Sequence, residues 1–186
     1  MLRLLPILAV VAVLAGCGGG SQPVDPNTAE TSPPGDIPDN QAFVAYTPPG
    51  GGYSVKVPEG WARTAAGGAV TFTDKLNAIR MESARAASPP TVASIRAELP
   101  RLANAVKGFQ PGDVSVVDRE AGKAVRITYL ADAPADAVTG KSGQNDVERY
   151  VFFHNGQDVV LTLSGPKGAD NVDPWRIVTD SLRWAG

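Results

Sequence analysis

Tyr150-Val151-Phe152-Phe153-His154-Asn155-Gly156-Gln157-Asp158-Val159-Val160-Leu161-Thr162-Leu163 is the stretch that decides the fold. Two runs rich in β-branched and aromatic residues, Tyr150 to His154 and Val159 to Leu163, flank Asn155-Gly156. That pair most easily takes the positive φ values of a type I′ turn, so the stretch predicts a tight antiparallel hairpin.

The same two-residue period recurs upstream. Val114 and Val116 precede Ala121-Gly122, and Val125, Ile127 and Tyr129 alternate beyond it, which predicts a second hairpin. Nearer the N-terminus, Tyr53, Val55 and Val57 alternate with Ser54 and Lys56 until Pro58-Glu59-Gly60 turns the chain and Trp61 restarts it. Val70 and Phe72 alternate with Thr71 and Thr73, and Ile79 and Met81 with Arg80 and Glu82. Such alternation belongs to antiparallel strands with one face in water.

Two stretches change period. Val92, Ile95, Leu99, Leu102 and Val106 fall on one helical stripe, with Thr91 as the cap and Gly108 at the stop. Pro100 lies inside it; an interior proline removes a backbone hydrogen bond at a cost of about 3 kcal/mol, which predicts a kink or two short pieces. A last helix is expected with Asp173 at the cap and Pro174 at its first position, placing Trp175, Val178 and Leu182 on one face. Strands, helix, strands, helix, without a βαβ rhythm, predict an α+β domain over residues 43–186, a single antiparallel sheet covered by helices.

Gly52-Tyr53-Ser54-Val55-Lys56-Val57-Pro58-Glu59-Gly60-Trp61, the central amphipathic helix, and a terminal helix ending Asp180-Ser181-Leu182-Arg183-Trp184 together resemble the PsbP-like fold. That α/β/α sandwich is shared by extrinsic subunits of photosystem II, a small Ran-binding nuclear protein and many lipoproteins of high-G+C, actinobacterial-type bacteria. The resemblance covers about Phe43 to Gly186. It implies a non-enzymatic module that docks on other proteins. It transfers no site residue, because the sequence holds no motif onto which the photosystem subunits' residues can be carried.

Ahead of the domain, Arg3 precedes an apolar run from Leu4 to Leu14 broken only by Pro6, and Leu14-Ala15-Gly16-Cys17 resembles the lipobox of bacterial lipoproteins. A spanning helix needs about 20 apolar residues, more than this run supplies. Residues 1–16 therefore read as a lipoprotein signal peptide, and Cys17, the one cysteine of the chain, as the site of diacylglyceryl attachment. An uncleaved anchor and an ordinary signal peptide are the alternatives, and both leave Cys17 without a role. Two acyl chains hold where one holds only marginally, at about 0.8 kcal/mol per buried methylene. A lipidated Cys17 leaves no thiol for a disulfide, so stability must come from a core.

Residues 17–42 read as the lipidated cysteine followed by a disordered Pro/Gly-rich tether. Their Gly, Pro, Ser, Thr, Asn and Asp residues carry almost no large apolar side chain to offset the entropy of ordering. As a flexible coil such a tether reaches about 25 to 30 Å. The expected location is the extracytoplasmic face of the cell membrane, with lipid as the anchor.

Charge excludes one class of partner. The formal net charge is −2; losing residues 1–16 removes Arg3 and no acid, leaving a mildly acidic chain without a polybasic face. Nucleic acid is not an expected partner.

The catalytic inventory is thin. His154 is the only histidine, and without thiolates it cannot complete a usual zinc site. No Gly-x-Ser-x-Gly elbow presents a serine. Gly140-Lys141-Ser142 matches the end of a phosphate-binding loop, but Ala135 stands where that motif needs its first glycine. Asp170, Asn171 and Asp173 offer oxygen ligands for calcium without an EF-hand pattern, and read as a turn and a helix cap. No catalytic, cofactor or metal residue is assigned. Trp61, Trp175 and Trp184 are core residues or binding anchors, with Trp175 on the apolar stripe.

One segment points outward. Ala131 to Asp146 joins two strands over a length that no hairpin needs, and long loops inside domains are functional or mobile. Asp132, Asp136, Lys141 and Asn145 give it a polar, mainly acidic character suited to a protein partner. The sequence thus predicts a lipid-anchored cell-envelope binding or accessory module acting through protein contacts, for example with a transporter or another membrane complex. A small-ligand or lipid-binding lipoprotein is the alternative, and an enzyme ranks last.

Overall fold

The structure, a computed structural model, describes residues 34–135 and 140–185. Their strands are β1 (Phe43–Tyr46), β2 (Tyr53–Pro58), β3 (Ala62–Ala66), β4 (Ala69–Asp74), β5 (Asn77–Arg85), β6 (Gln110–Arg119), β7 (Gly122–Asp132), β8 (Gln144–His154), β9 (Gln157–Pro166) and β10 (Arg183–Trp184). Helix α1 (Val92–Ala105) links β5 to β6, and α2 (Val172–Asp180) links β9 to β10. The class is α+β, as the sequence predicts.

The strands divide between two antiparallel sheets rather than one. Seven form a sheet in the order β3-β4-β5-β9-β8-β7-β6, and three form a second in the order β1-β2-β10. The reason lies in the alternation of the large sheet, whose strands β7, β8 and β9 are apolar on both faces. Phe152 and Leu161 belong to one buried cluster, while their neighbours Val151 and Val160 pack in the other. Two faces need two covers. α1 covers one, and α2 with the three-stranded sheet covers the other through Trp175, Val178, Tyr53, Val55 and Val57.

The hairpin that anchors the sequence reading forms as expected: His154 pairs with Gln157, and Asn155 and Gly156 have φ of 47° and 76°. The second hairpin also forms, from β6 and β7, with Arg119 opposite Gly122 and a register shift between Pro111 and Val114.

Helix α1 starts where Thr91 predicts. Thr91 Oγ1 accepts from Ser94 N at 3.0 Å while Ser94 Oγ accepts from Thr91 N at 2.9 Å, a reciprocal capping box. The helix runs through Pro100 as one element instead of two pieces. Pro100 and Arg96, whose carbonyl loses its partner, are both exposed, so water replaces the missing bond.

Helix α2 corrects the expected start. Its N-cap is Asn171, so Asp173 lies in the first turn and Pro174 is the third helical residue, still within the turn where a missing N–H is tolerated. The Asn171 side chain makes no capping bond because it serves elsewhere. Its Oδ1 accepts from Ile37 N at 2.8 Å, and its Nδ2 donates to Gly35 O at 2.9 Å and to Asn77 Oδ1 at 3.1 Å. Asn77 Nδ2 donates to the same Gly35 carbonyl at 3.0 Å.

The boundary of the domain moves with these bonds. Ile37, read from sequence as part of the tether, is 4% exposed within the main core, and Asp36 Oδ1 accepts from Asp170 N at 3.0 Å. The packed domain thus includes residues 35–37. The signal peptide, Cys17 and the tether up to residue 33 lie outside the described residues.

Replacing Asn171 by Ala leaves the Ile37 N–H and Asn77 Oδ1 without these partners inside the protein, while the Gly35 carbonyl keeps only Asn77 Nδ2. We expect a loss of about 2 to 4 kcal/mol in urea unfolding with an unchanged denaturant slope. Tyr53 sets an alkaline limit: burial, helped by the neighbouring Tyr46, pushes its phenol up to about 12. Below pH 10 the phenol is neutral in both folded and unfolded chains, so its contribution is complete. Between about pH 10 and 12 only the unfolded chain ionises, and stability falls. Tyr53→Phe should flatten that decline in denaturant midpoints measured across this range; burial also raises Tyr129 and Tyr150, so a residual slope remains.

Candidate functional site: an acidic cleft at the open end of the sheet

Helix α2 is short and leaves part of its sheet face uncovered. On that face β7 presents Thr128 and Leu130, and β8 presents Asp146 and Glu148, paired across the two strands as Thr128 with Glu148 and Leu130 with Asp146. These four side chains, the β6 segment Gln110–Gly112, and Asn171, Val172 and Trp175 around the start of α2 enclose a cleft of about 420 Å³. Gly112 is required there, since a Cβ would collide with Thr128 of the neighbouring strand.

The carboxylates are held from one side. Tyr150 OH donates to Glu148 Oε2 at 2.5 Å, and Arg126 Nη1 lies 3.5 Å from Glu148 Oε1. Arg119 extends the network: it donates to Tyr150 OH at 3.1 Å and to Thr179 Oγ1 at 2.9 Å, and sits 3.5 Å from Asp180 on α2. Burial, with the bond to Glu148, raises the Tyr150 phenol above its ordinary value, so it stays a donor. Asp146 Oδ2 accepts from Gly168 N at 2.8 Å. Two donors have no partner among the described residues: Trp175 Nε1, in a residue only 7% exposed, and Arg126 Nε.

The residues expected to meet a partner are dispersed. Asp132 closes β7, with its backbone N donating to Lys107 O at 2.9 Å and its carboxylate 3.8 Å from Lys107 Nζ. Asn145 is part of β8 and 8% exposed, on the face opposite Asp146, so its side chain is closed to a partner. Asp136 lies outside the described residues, and Lys141 belongs to the connection between β7 and β8. That connection spans residues 133–143, shorter than expected because both strands extend into it, and Ala133 N donates to Gly143 O across its base at 2.9 Å. It springs from the two strands that line the cleft. Sequence reasoning missed Glu148, yet the spacing Asp146-Val147-Glu148 ahead of the hairpin already puts two acids on one strand face.

The remaining chemical candidates resolve into structure. His154 stacks on Trp184 with ring centroids 5.1 Å apart, and Trp184 Nε1 donates to Ala121 O at 3.1 Å. Trp175 lies in the core, as its stripe predicts. Asn171 turns its amide inward, and no group of three metal-ligating side chains gathers among the described residues.

A wider groove of about 700 Å³ runs along α1 on the opposite face, walled by Ile95, Leu99, Val151 and Val160. Arg149 crosses its floor, donating to Thr162 Oγ1 at 2.9 Å and lying 3.4 Å from Glu82. Asp158 is less well placed. Its Oδ1 is buried without a partner among the described residues, and burial, reinforced by the Glu98 charge on α1, raises its carboxyl above the ordinary range.

The architecture is that of the PsbP-like proteins. The chain is similar to the solution structure of cyanobacterial PsbP (CyanoP) from Synechocystis, with a TM-score of 0.54 and 15% identity over 78% of this chain and 94% of that one. A protein from Bacteroides thetaiotaomicron gives a TM-score of 0.52 and 15% identity over 76% of this chain, which spans about half (48%) of its length. The Ran-binding protein Mog1p of Saccharomyces cerevisiae gives 0.48 and 11% identity over 77% of this chain and 96% of that one. No protein-family model and no curated protein matches. At such identities the likeness to CyanoP shows the fold alone.

Asp158 provides a check on the groove's electrostatics. A carboxyl raised on folding adds stability that is present in acid, below its unfolded value, and is lost as pH rises through its folded value. Asp158→Asn should therefore raise the thermal midpoint at neutral pH, with the difference shrinking as the pH falls through the acidic range.

Proposed function

We propose that this chain is a lipid-anchored binding or accessory module of the cell envelope, held to the membrane through Cys17 and acting by contact with another protein, such as a transporter or other membrane complex. The observation that carries the reading is where the β7–β8 connection is rooted, at Ala133 and Gly143. It rises from the same two strands that form the floor of an open, partly apolar cleft, so a partner gripping one meets the other. Rigid strands hold the cleft residues, which limits the ordering cost of association. The fold shared with CyanoP is compatible with such a role, and the apolar run ending in Cys17 supplies the anchor. On this reading the protein is not an enzyme and needs no cofactor.

The α1 groove favours a second reading, a receptor for a small amphipathic ligand, because its volume and mixed lining fall within the range of ligand sites. Mass spectrometry of extracts from the native protein separates the two: a stoichiometric small molecule supports the receptor.

Native pulldown from detergent-solubilised membranes should recover a stoichiometric protein partner. Replacing residues 134–142 by a short Gly/Ser linker should weaken capture without changing thermal stability, whereas undiminished capture would count against the connection. Cys17→Ser should abolish acylation and release the protein from membranes; acyl chains still found on that variant by metabolic labelling would refute the anchor.

A further inference from the structure

We propose that β3, the outer strand of the seven-stranded sheet, takes an extended segment of a protein partner as an added antiparallel strand, which sets a large apolar side chain opposite Ala65 and an acidic one opposite Arg63. The inference shares a polypeptide partner with the reading above and makes no use of the β7–β8 connection.

The backbone offers the first complement. Ala66 and Ala69 pair across a two-residue turn, Gly67-Gly68, whose φ values are 58° and 80°. The closing pair of such a hairpin exchanges both of its hydrogen bonds. Ala62, Thr64 and Ala66 therefore bond towards β4, and the N–H and C=O groups of Arg63 and Ala65 point out of the sheet. All five residues of β3 are exposed, and among the described residues no strand lies beyond it. The far edge of the same sheet is guarded, since in β6 Pro111 lacks an N–H and the register shifts before Val114. β3 has neither device, and its five pairs with β4 run without a shift. Its one charge, Arg63, lies over the Tyr46 ring, with the guanidinium 5.7 Å from the ring centre.

The side chains offer the second. Ala65, Val70 and Met81 pair in one row across β3, β4 and β5, so a residue added beside Ala65 projects to their face of the sheet. On that face lies a pocket of about 300 Å³ walled by Pro48, Pro49, Tyr53, Ala65, Val70 and Met81. Ala65 ends at its methyl group, which leaves the way from the edge into the pocket open. No side chain lining the pocket is charged, so a charged occupant would lose its hydration without a counter-charge, whereas an apolar one only gains.

Charge fixes the next position. Two residues further along an antiparallel partner, the side chain on the same face stands opposite Arg63, which makes no ion pair among the described residues. Opposite charges attract across neighbouring strands and like charges repel. In its own N-to-C direction the fitting segment thus reads apolar, any residue, acidic. The same geometry argues against a second copy of this chain. Pairing β3 with β3 about a two-fold axis at Thr64, the register in which each strand uses both outward residues, would put Arg63 opposite Ala65 and a guanidinium at the mouth of the uncharged pocket.

The test follows amide and methyl signals by NMR in the full chain, held in detergent micelles, as a peptide is added. The probe is acetyl-Thr-Leu-Thr-Glu-Thr-amide, and its controls carry N-methyl-leucine, lysine for leucine, or lysine for glutamate. Saturable downfield shifts of the Arg63 and Ala65 amide protons, which gain acceptors, are expected together with a shift of the Met81 methyl. The Thr64 and Ala66 amides, already bonded to β4, should move least. The first two controls should bind about tenfold more weakly and the third about threefold. Ala65→Leu, at an exposed position, should keep the thermal midpoint, fill the mouth of the pocket and weaken the probe about tenfold. No saturable shift, equal binding of the N-methyl peptide, or undiminished affinity in Ala65→Leu would each overturn the inference. So would Arg63 and Ala65 amide shifts that follow protein concentration without peptide, which assign the edge to a second copy. The wider reading is judged separately: a partner lost on replacing residues 134–142 but captured fully by Ala65→Leu sustains the module and removes β3 from it.

Discussion

The Asn171 side chain is the constraint on which the rest of the structure turns. It ties together the entry segment at Gly35 and Ile37, the start of β5 at Asn77 and the start of α2, three pieces of chain that have no local reason to meet. The arrangement also dictates what lies beneath it, because a Cβ on Gly165 of β9 would run into both amides. Buried amides are unforgiving: fully paired they fix a single geometry, and half paired they cost more than an apolar contact. The first turn of α2 is therefore placed by the core rather than by its own capping signal, and Trp175 is placed with it.

This separates what the chain declares locally from what it does not. The β8–β9 hairpin is legible because Asn155-Gly156 imposes its own backbone angles, and the start of α1 because Thr91 and Ser94 cap each other across three residues. The split into two sheets, the early start of α2 and the packing of Ile37 depend on contacts such as Ile37 to Asn171, 134 positions apart, for which no spacing rule exists. A cap reading of Asp173-Pro174 is chemically sound, yet Asn171 wins because its amide has core partners to satisfy. Asp146 and Asn145 show the same limit. In the sequence both close a polar loop, whereas in the structure they are consecutive residues of β8, so one faces the cleft and the other the opposite side.

The two faces of the large sheet are unequally covered. On the α2 side, Phe152, Val159, Leu161 and Leu163 are fully sealed, and the three-stranded sheet adds a second buried wall. On the α1 side, Ile95 is the one fully buried residue of the helical stripe, and its other members are half-buried. Fewer buried contacts give α1 a lower local stability, which suits the groove beneath it to adapting around an occupant. The acidic cleft has the opposite character, since its floor consists of side chains fixed on paired strands.

That rigidity bears on whether the cleft is more than a packing fault. Glu148, Tyr150, Arg119 and Asp180 form a linked set in which bonds run from sheet to helix, the expected outcome when folding alone arranges charged groups. Trp175 Nε1 and Arg126 Nε break the pattern, because both are buried donors without partners and one belongs to the wall of the cleft. Native proteins leave few such groups, and those that persist gather where function competes with stability. The indole at position 175 serves the cleft as part of its wall and the core as packing against β9, where a Cβ on Gly165 would come within 3.5 Å of its ring.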